Sequence, residues 1–199
     1  MTIGIIGAGA IGAAFARRLA EAGVPAILSN SRGPQSVADL VGEIGGPVRA
    51  GTRDEAAAQG LVLVAVNWSK LPTALAGLPD FNGRIVIDAN NPIEPPTFQG
   101  ADLHGRSSTE VFADYAPGAR VVKAFNHLPA KLLAEYPGAA GGRRVLFFAG
   151  SDAQAKAEVA ALIDKLGFFG VDLGHPNQGG QAINIPGGPL AILNLIRLD

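Results

Sequence analysis

The stretch from Gly7 to Arg32 constrains this chain more than any other. A short apolar run, Thr2-Ile3-Gly4-Ile5-Ile6, leads into Gly7-Ala8-Gly9-Ala10-Ile11-Gly12, a GxGxxG. A helical pattern follows, then a second apolar run, Ala26-Ile27-Leu28, closing in Ser29-Asn30-Ser31-Arg32. Strand, glycine turn, helix and strand in that order form the unit that holds a dinucleotide. Gly7 lets the strand turn sharply, Gly9 lets backbone approach a pyrophosphate, and Gly12 lets the helix pack close to the sheet. Ala10 and Ile11 open that helix, where unpaired N–H groups and the helix dipole favour negative charge. A GxGxxG alone is weak evidence, because glycine turns are common. Here the flanking elements match on both sides.

The end of the second strand separates two cofactors. Sites for NAD place an acid there, roughly 20 residues past the glycines, on the ribose hydroxyl. A carboxylate would repel the 2′-phosphate of NADP. The nearest acids, Glu21 and Asp39, are both off the position, and Asn30, Ser31 and Arg32 occupy it instead. A guanidinium matches phosphate geometry, so the strand end reads as NADP-binding. The plain alternative is a solvated surface arginine.

The rest of the composition narrows the class. At 199 residues, with 27 glycines, 14 prolines and 17% charged residues, the chain fits a compact α/β protein with many tight turns. A net charge of −1 and no basic run leave nucleic acid without an electrostatic footprint. No cysteine is present, which excludes disulfides, thiolate catalysis and cysteine-bound metals. His104, His127 and His175 are too scattered to suggest a metal, and none is expected. Arg17 and Arg18 interrupt the apolar stretch behind the N-terminus, so neither a signal peptide nor a membrane span is expected, and the default compartment is the cytoplasm.

Periodicity orders the remainder. A helix is expected over Ile11 to Ala22, a second over Ser36 to Ile44, and short elements at Val48–Ala50 and after Thr52. The uninterrupted apolar run Leu61–Val66 reads as a central parallel strand, and Arg84–Ala89 as the next. Leu71 to Leu78 is weakly helical, and Ile93 to Gly105 reads as a loop. Ser107 and Glu110 have capping-box spacing. Arg120–Phe125 reads as the sixth strand, Leu128 to Tyr136 as helix, and Gly138–Gly142 as a break between subdomains. Arg143–Gly150 is expected as a strand, Ala153–Leu166 as an amphipathic helix and Phe168–Leu173 as a last strand. The tail Leu190–Leu198 reads as a short docked helix. The whole is an α/β, Rossmann-type doubly wound, mostly parallel sheet. Residues 1–140 form the nucleotide domain, and 141–199 a small C-terminal α/β extension on the substrate side.

Ligands of an open parallel sheet bind outside the carboxyl ends of its strands. Val66, Asn67 and Trp68 follow one such end, and Ala89, Asn90, Asn91 and Pro92 follow another. These are candidates to touch the cofactor. Each has a plain alternative: Trp68 as core cover, and the asparagines as turn formers before a proline. His127 follows a third strand end and is the one weak candidate for proton handling, against the ordinary reading of a loop histidine. Lys123, inside its strand, reads as structural.

These segments together resemble the NADPH-dependent reductase family of the deazaflavin coenzyme F420. The resemblance rests on Gly7–Gly12, Asn30-Ser31-Arg32, Val66-Asn67-Trp68, Asp88-Ala89-Asn90-Asn91-Pro92 and Val122-Lys123-Ala124-Phe125-Asn126. Arg143–Gly150, the helix after it and Leu166-Gly167-Phe168 add to it. It implies NADP(H) at the glycine turn with Ser31 and Arg32 on the 2′-phosphate, a nicotinamide near Asn67-Trp68 and Asn90-Asn91-Pro92, and a homodimer. The chain departs from the family in three places. Asn67 stands where proline is common, and His127 where a small residue such as threonine is common. Gly33-Pro34-Gln35-Ser36 lacks the further basic residue that often follows the Ser-Arg pair.

The segment after Gly142 is short and turn-rich, with little room for a separate catalytic lobe. The expected function is therefore hydride transfer between NADPH and a second redox cofactor or small acceptor, whether deazaflavin F420, a flavin or a quinone-like compound. Such a transfer asks for alignment more than for a strong acid. The alternative from another class is a non-catalytic NADP(H)-binding redox sensor.

Overall fold

The computed structural model describes residues 1–94 and 96–198. Eight strands run across one sheet. Six of them are parallel, in the order β3 (Val48–Ala50), β2 (Ala26–Ser29), β1 (Ile3–Ile6), β4 (Leu61–Val64), β5 (Ile85–Asp88) and β8 (Arg120–Ala124). The order reverses direction between β1 and β4, which opens the crevice where doubly wound folds take a dinucleotide. Beyond β8 lie β10 (Gly142–Gly150) and β11 (Phe169–Asp172).

The central strands are buried on both faces, as their continuous apolar runs require. Residues alternate between two layers. Ile3, Ile5, Leu61 and Leu63 meet Phe15 and Leu19 of α1 (Ala10–Glu21) on one side. Val62, Val64 and Val86 meet Ala56 of α3 (Arg53–Ala57), Leu71 and Leu75 of α4 (Leu71–Leu75) and Phe112 of α5 (Ser108–Asp114) on the other. The Phe15 ring stands edge-on to Phe125, with centroids 4.8 Å apart. Two helix starts carry full capping boxes, Thr52 with Glu55 and Ser107 with Glu110. The second expected helix divides into a 3-10 turn, Pro34–Val37, and α2 (Ala38–Ile44).

The last third differs from expectation in three respects. First, Gly138–Gly142 is not a slack break. β9 (Gly138–Ala139) pairs antiparallel with the start of β10 in a tight hairpin, so residues after 141 extend the same sheet. Second, β10 runs antiparallel to β8, with Phe148 opposite Ala124, and β11 runs with β10. The end of β11 therefore points away from the carboxyl edge of the six parallel strands. The chain beyond it returns to that edge through Ile183 and Ile185. Third, the tail is not a helix. Its end, β12 (Ile196–Leu198), pairs antiparallel with Gly142–Arg144. The first half of β10 projects beyond β8, and its N–H groups need partners. The Val145 N–H donates to Leu195 O at 2.9 Å, and the Ile192 N–H donates to His127 O at 2.8 Å.

Two helices close this side. α6 (Ala130–Ala134) packs on α1, and α7 (Ala153–Lys165) covers β8, β10 and β11. The buried Arg18 guanidinium of α1 donates to Leu166 O at 3.0 Å, just past α7. In the expected loop Ile93–Gly105, a two-stranded ribbon forms between β6 (Ile93–Glu94) and β7 (Gln99–Gly100). Pro95 of that loop lies outside the described residues.

Candidate functional site

A cleft of about 920 Å³ opens over the carboxyl ends of β1, β2, β3 and β4. Its floor is the glycine turn. Gly7 has φ +113°, and a Cβ there would lie 2.1 Å from Ala65 O. A Cβ on Gly12 would lie 1.8 Å from Gly7 O, so this glycine sets how closely α1 approaches the turn. Gly9 differs from both. Its Cβ would meet no protein atom within 4 Å, and its φ of −76° suits any residue. The space beside Gly9 faces the cleft, where backbone can come up against a ligand. Gly9 caps α1 without a side-chain hydrogen bond, and no acid lies in the first turn. The first N–H groups of α1 are thus offered to an anion.

One wall is the strand end expected to hold the 2′-phosphate. The Asn30 carboxamide oxygen accepts the Arg32 N–H at 2.8 Å and the Ser36 hydroxyl at 2.8 Å, which shapes the Ser31–Arg32 turn. Ser31, Arg32, Gly33 and Pro34 line the cleft. No aspartate or glutamate lines it among the described residues. That fits a ligand with an additional phosphate.

Two more cations line the cleft, and the linear sequence gave no sign of them: Arg53 and Lys70. Arg53 follows β3 and Lys70 follows β4. Carboxyl ends of neighbouring parallel strands share one edge, so the residues just beyond β2, β3 and β4 meet there. The strand order, which is a tertiary property, was the missing signal.

The residues beyond β4 and β5 divide. Val66 and Asn67 line the cleft, whereas Trp68 packs against the apolar layer that holds Leu71 and Val64. Asn90 lies beside the cleft rather than in its lining. It is 2% exposed, its Oδ1 accepts the Val66 N–H at 2.9 Å, and its Nδ2 donates to Val64 O and Asp88 Oδ1. Its polar atoms brace the ends of β4 and β5. Ala89 is buried too. Asn91 bridges to the returning chain. Its Nδ2 donates to Asn126 O at 2.7 Å, and its Oδ1 accepts from Asn126 Nδ2 and the Ile185 N–H at 3.0 Å each. Pro92 lines a second recess of about 330 Å³ between the ribbon and the C-terminal segment, together with Ser107, Ser108 and Asn184. Ala10, Ile11 and Gly12 form the first turn of α1, next to the cleft-lining Gly9.

His127 follows β8 and lies outside the cleft lining. Its side chain is fully buried and packs against the Phe147 ring, with centroids 5.1 Å apart. Its Nε2 accepts the Phe147 N–H at 3.0 Å. Burial pushes its pKa down to about 4. The neutral imidazole is packed as part of the interior and accepts a backbone N–H there.

The fold order, the glycine turn and the carboxylate-free cleft define an α/β fold of the dinucleotide-binding type. The model of the family described as NADP oxidoreductase, coenzyme F420-dependent, matches residues 2–92. NADP(H) is the cofactor of this chain. A hypothetical protein of Sinorhizobium meliloti is 44% identical, with 99% of this chain and 96% of that one aligned at a TM-score of 0.94. A candidate F420-dependent NADP-reductase of Arthrobacter is 28% identical, covering 88% and 85% of the two chains at a TM-score of 0.67. The metalloreductase STEAP3 of Rattus norvegicus is 29% identical over 185 residues. The chain spans 36% of the length of that relative. Among the described residues no helix is long and apolar enough to cross a membrane.

Proposed function

We propose that this chain passes a hydride between NADPH and a flat redox acceptor, a deazaflavin such as coenzyme F420, a flavin or a quinone-like compound. The cleft that combines an open Gly9, a basic wall and no acidic lining carries this reading. When bound, NADPH supplies the hydride. Gly7, Gly9 and the first N–H groups of α1 hold the pyrophosphate. Ser31 and Arg32 hold the 2′-phosphate, in a turn preset by Asn30. Val66 and Asn67 border the path toward the nicotinamide end. Asn91, tied to Asn126 and Ile185, keeps the carboxyl edge beyond β5 rigid. With His127 withdrawn into the interior, the edge favours a transfer that depends on alignment and exclusion of water rather than on a strong side-chain acid. The acceptor approaches over this edge, on the side of the Pro92 recess. A homodimer is part of the same reading. Ile192, Leu193 and Leu195 are 64%, 39% and 41% exposed, and a second copy would cover them.

The test is binding followed by turnover. Arg32→Ala weakens NADPH by about 1.5–3 kcal/mol, the scale of a bond to a charged group, and leaves NADH nearly unchanged. Purified protein oxidises NADPH with at least one acceptor of the set F420, FMN and a quinone. Equal loss of both nucleotides in the variant overturns the 2′-phosphate assignment. Tight NADPH binding with no oxidation by any acceptor overturns the reductase reading in favour of a redox sensor.

A further inference from the structure

We infer that Lys70 is a specificity-determining residue for NADP over NAD, completing with Arg32 and Arg53 a three-cation pocket for the 2′-phosphate. The inference rests on the reading that Ser31 and Arg32 face that phosphate.

The register of the sheet brings Arg53 to the same end of the cleft as Arg32. Leu28 of β2 pairs with Ala50 of β3, and the Gly51 N–H donates to Leu28 O at 3.0 Å. Ser31 and Arg53 each stand three residues beyond that pair, on neighbouring parallel strands. Both residues lie beyond the carboxyl ends of neighbouring strands and line the cleft.

Arg53 in turn fixes where Lys70 sits. The Nη1 of Arg53 donates to Ala76 O at 2.9 Å, and longer contacts reach Thr73 O and Ala74 O. These carbonyls belong to the C-terminal part of α4 and the turn after it. Arg53 thus ties the start of α3 to α4 across the cleft. Lys70 precedes Thr73 and Ala74 by three and four residues, a spacing that shares one helix face. All three line the cleft. Lys70, on the element that Arg53 holds, thus lines the same cleft as Arg32.

The charges support the same assignment. Arg53 keeps a charge in the cleft but spends donors on carbonyls and has an exposed neighbour, Asp54, at 3.6 Å. The Lys70 ammonium has no carboxylate partner among the described residues. Lysine is a mobile point charge able to follow a phosphate. Here it supplies the second freely directed cation that the Gly33-Pro34-Gln35-Ser36 turn does not. NAD has no group for it at this end.

The experiment compares Lys70→Gln and Lys70→Arg with wild type in calorimetric titrations of the full chain. The probes are NADPH, NADH, adenosine 2′,5′-bisphosphate and ADP. Lys70→Gln is expected to raise Kd for NADPH and the 2′,5′-bisphosphate about tenfold. NADH and ADP stay within about twofold, and Lys70→Arg restores most of the preference. Lys70 is exposed, so an unchanged melting temperature confirms that the variants are folded. Parallel loss for all four probes assigns Lys70 to the pyrophosphate and overturns the inference. No change for any probe reduces it to a solvated lysine and overturns it equally. If wild type itself fails to prefer NADPH over NADH, the underlying assignment of Ser31 and Arg32 falls instead.

Discussion

The Lys123 ammonium lies 3.0 Å from the Asp88 carboxylate, and neither side chain has any exposure. Lys123 also donates to Asn90 O at 2.8 Å, and Asp88 accepts from the Asn90 backbone and carboxamide. The pair joins β5 to β8 directly beneath the carboxyl edge and holds Asn90, which in turn holds Val66 at the cleft.

Removing one member strands the other charge in the interior. Lys123→Met and Asp88→Asn are each expected to cost roughly 3–5 kcal/mol of stability. The double variant is expected to cost clearly less than the two together, because no unpaired charge remains. Urea denaturation at neutral pH measures all three. Additive losses would mean that the two groups are not coupled.

The two glycines at either end of the turn separate folding from binding. Gly9→Ala places a methyl in the open cleft at a permitted backbone angle. Its melting temperature is expected near that of wild type, with NADPH affinity reduced about tenfold or more. Gly12→Ala forces a methyl against Gly7 O and is expected to destabilise by roughly 1–3 kcal/mol or more, as overpacking does. Thermal melts with NADPH titrations check both. A Gly9→Ala protein that binds normally would show that the ligand does not pass beside this residue.

His127 gives the fold a pH dependence of definite sign. Its pKa is about 4 when folded, against 6.5 for a free histidine. The unfolded chain therefore binds the proton first. Stability is complete above about pH 6.5 and falls as pH drops toward 4, by an amount on the order of 3 kcal/mol, then levels off with respect to this group. His127→Gln starts from lower stability but loses this slope. Unfolding free energies at several pH values across that window decide the matter, and an equal slope in the variant removes His127 as the cause.

Much of the nucleotide half is legible in the sequence, because its signals are local. Glycine spacing, the capping boxes at Thr52 and Ser107, and the buried runs at Leu61 and Ile85 each report on their own neighbourhood. What escaped depends on partners far away in the chain. Asn90 could be a ligand or a turn former by its type, and only Val64 and Val66, more than 20 residues away, show it to be a brace. An apolar run such as Leu146-Phe147-Phe148 is buried alike in parallel or antiparallel pairing, so the direction of β10 left no mark. The tail departs from its helical pattern for a related reason. Leu190, Ile192, Leu193, Leu195 and Ile196 fit a helical face, but the unpaired edge of β10 offered hydrogen bonds that composition does not reveal. Arg53 and Lys70 became neighbours of Arg32 only through the strand order.

The bond from Arg18 to Leu166 has one more consequence. α1 begins at the cleft, just after Gly9, and is gripped near its carboxyl end by a carbonyl 148 residues further along the chain. Whatever binds at the first end therefore adds its free energy to a cooperative unit that includes the second, about 2.7 kcal/mol when ligand stands at a hundred times its Kd. Cofactor affinity and the integrity of α7 are two readings of one equilibrium. A lesion around Leu166 would register as weaker nucleotide binding, and a saturating nucleotide would shield the far side of the molecule from unfolding.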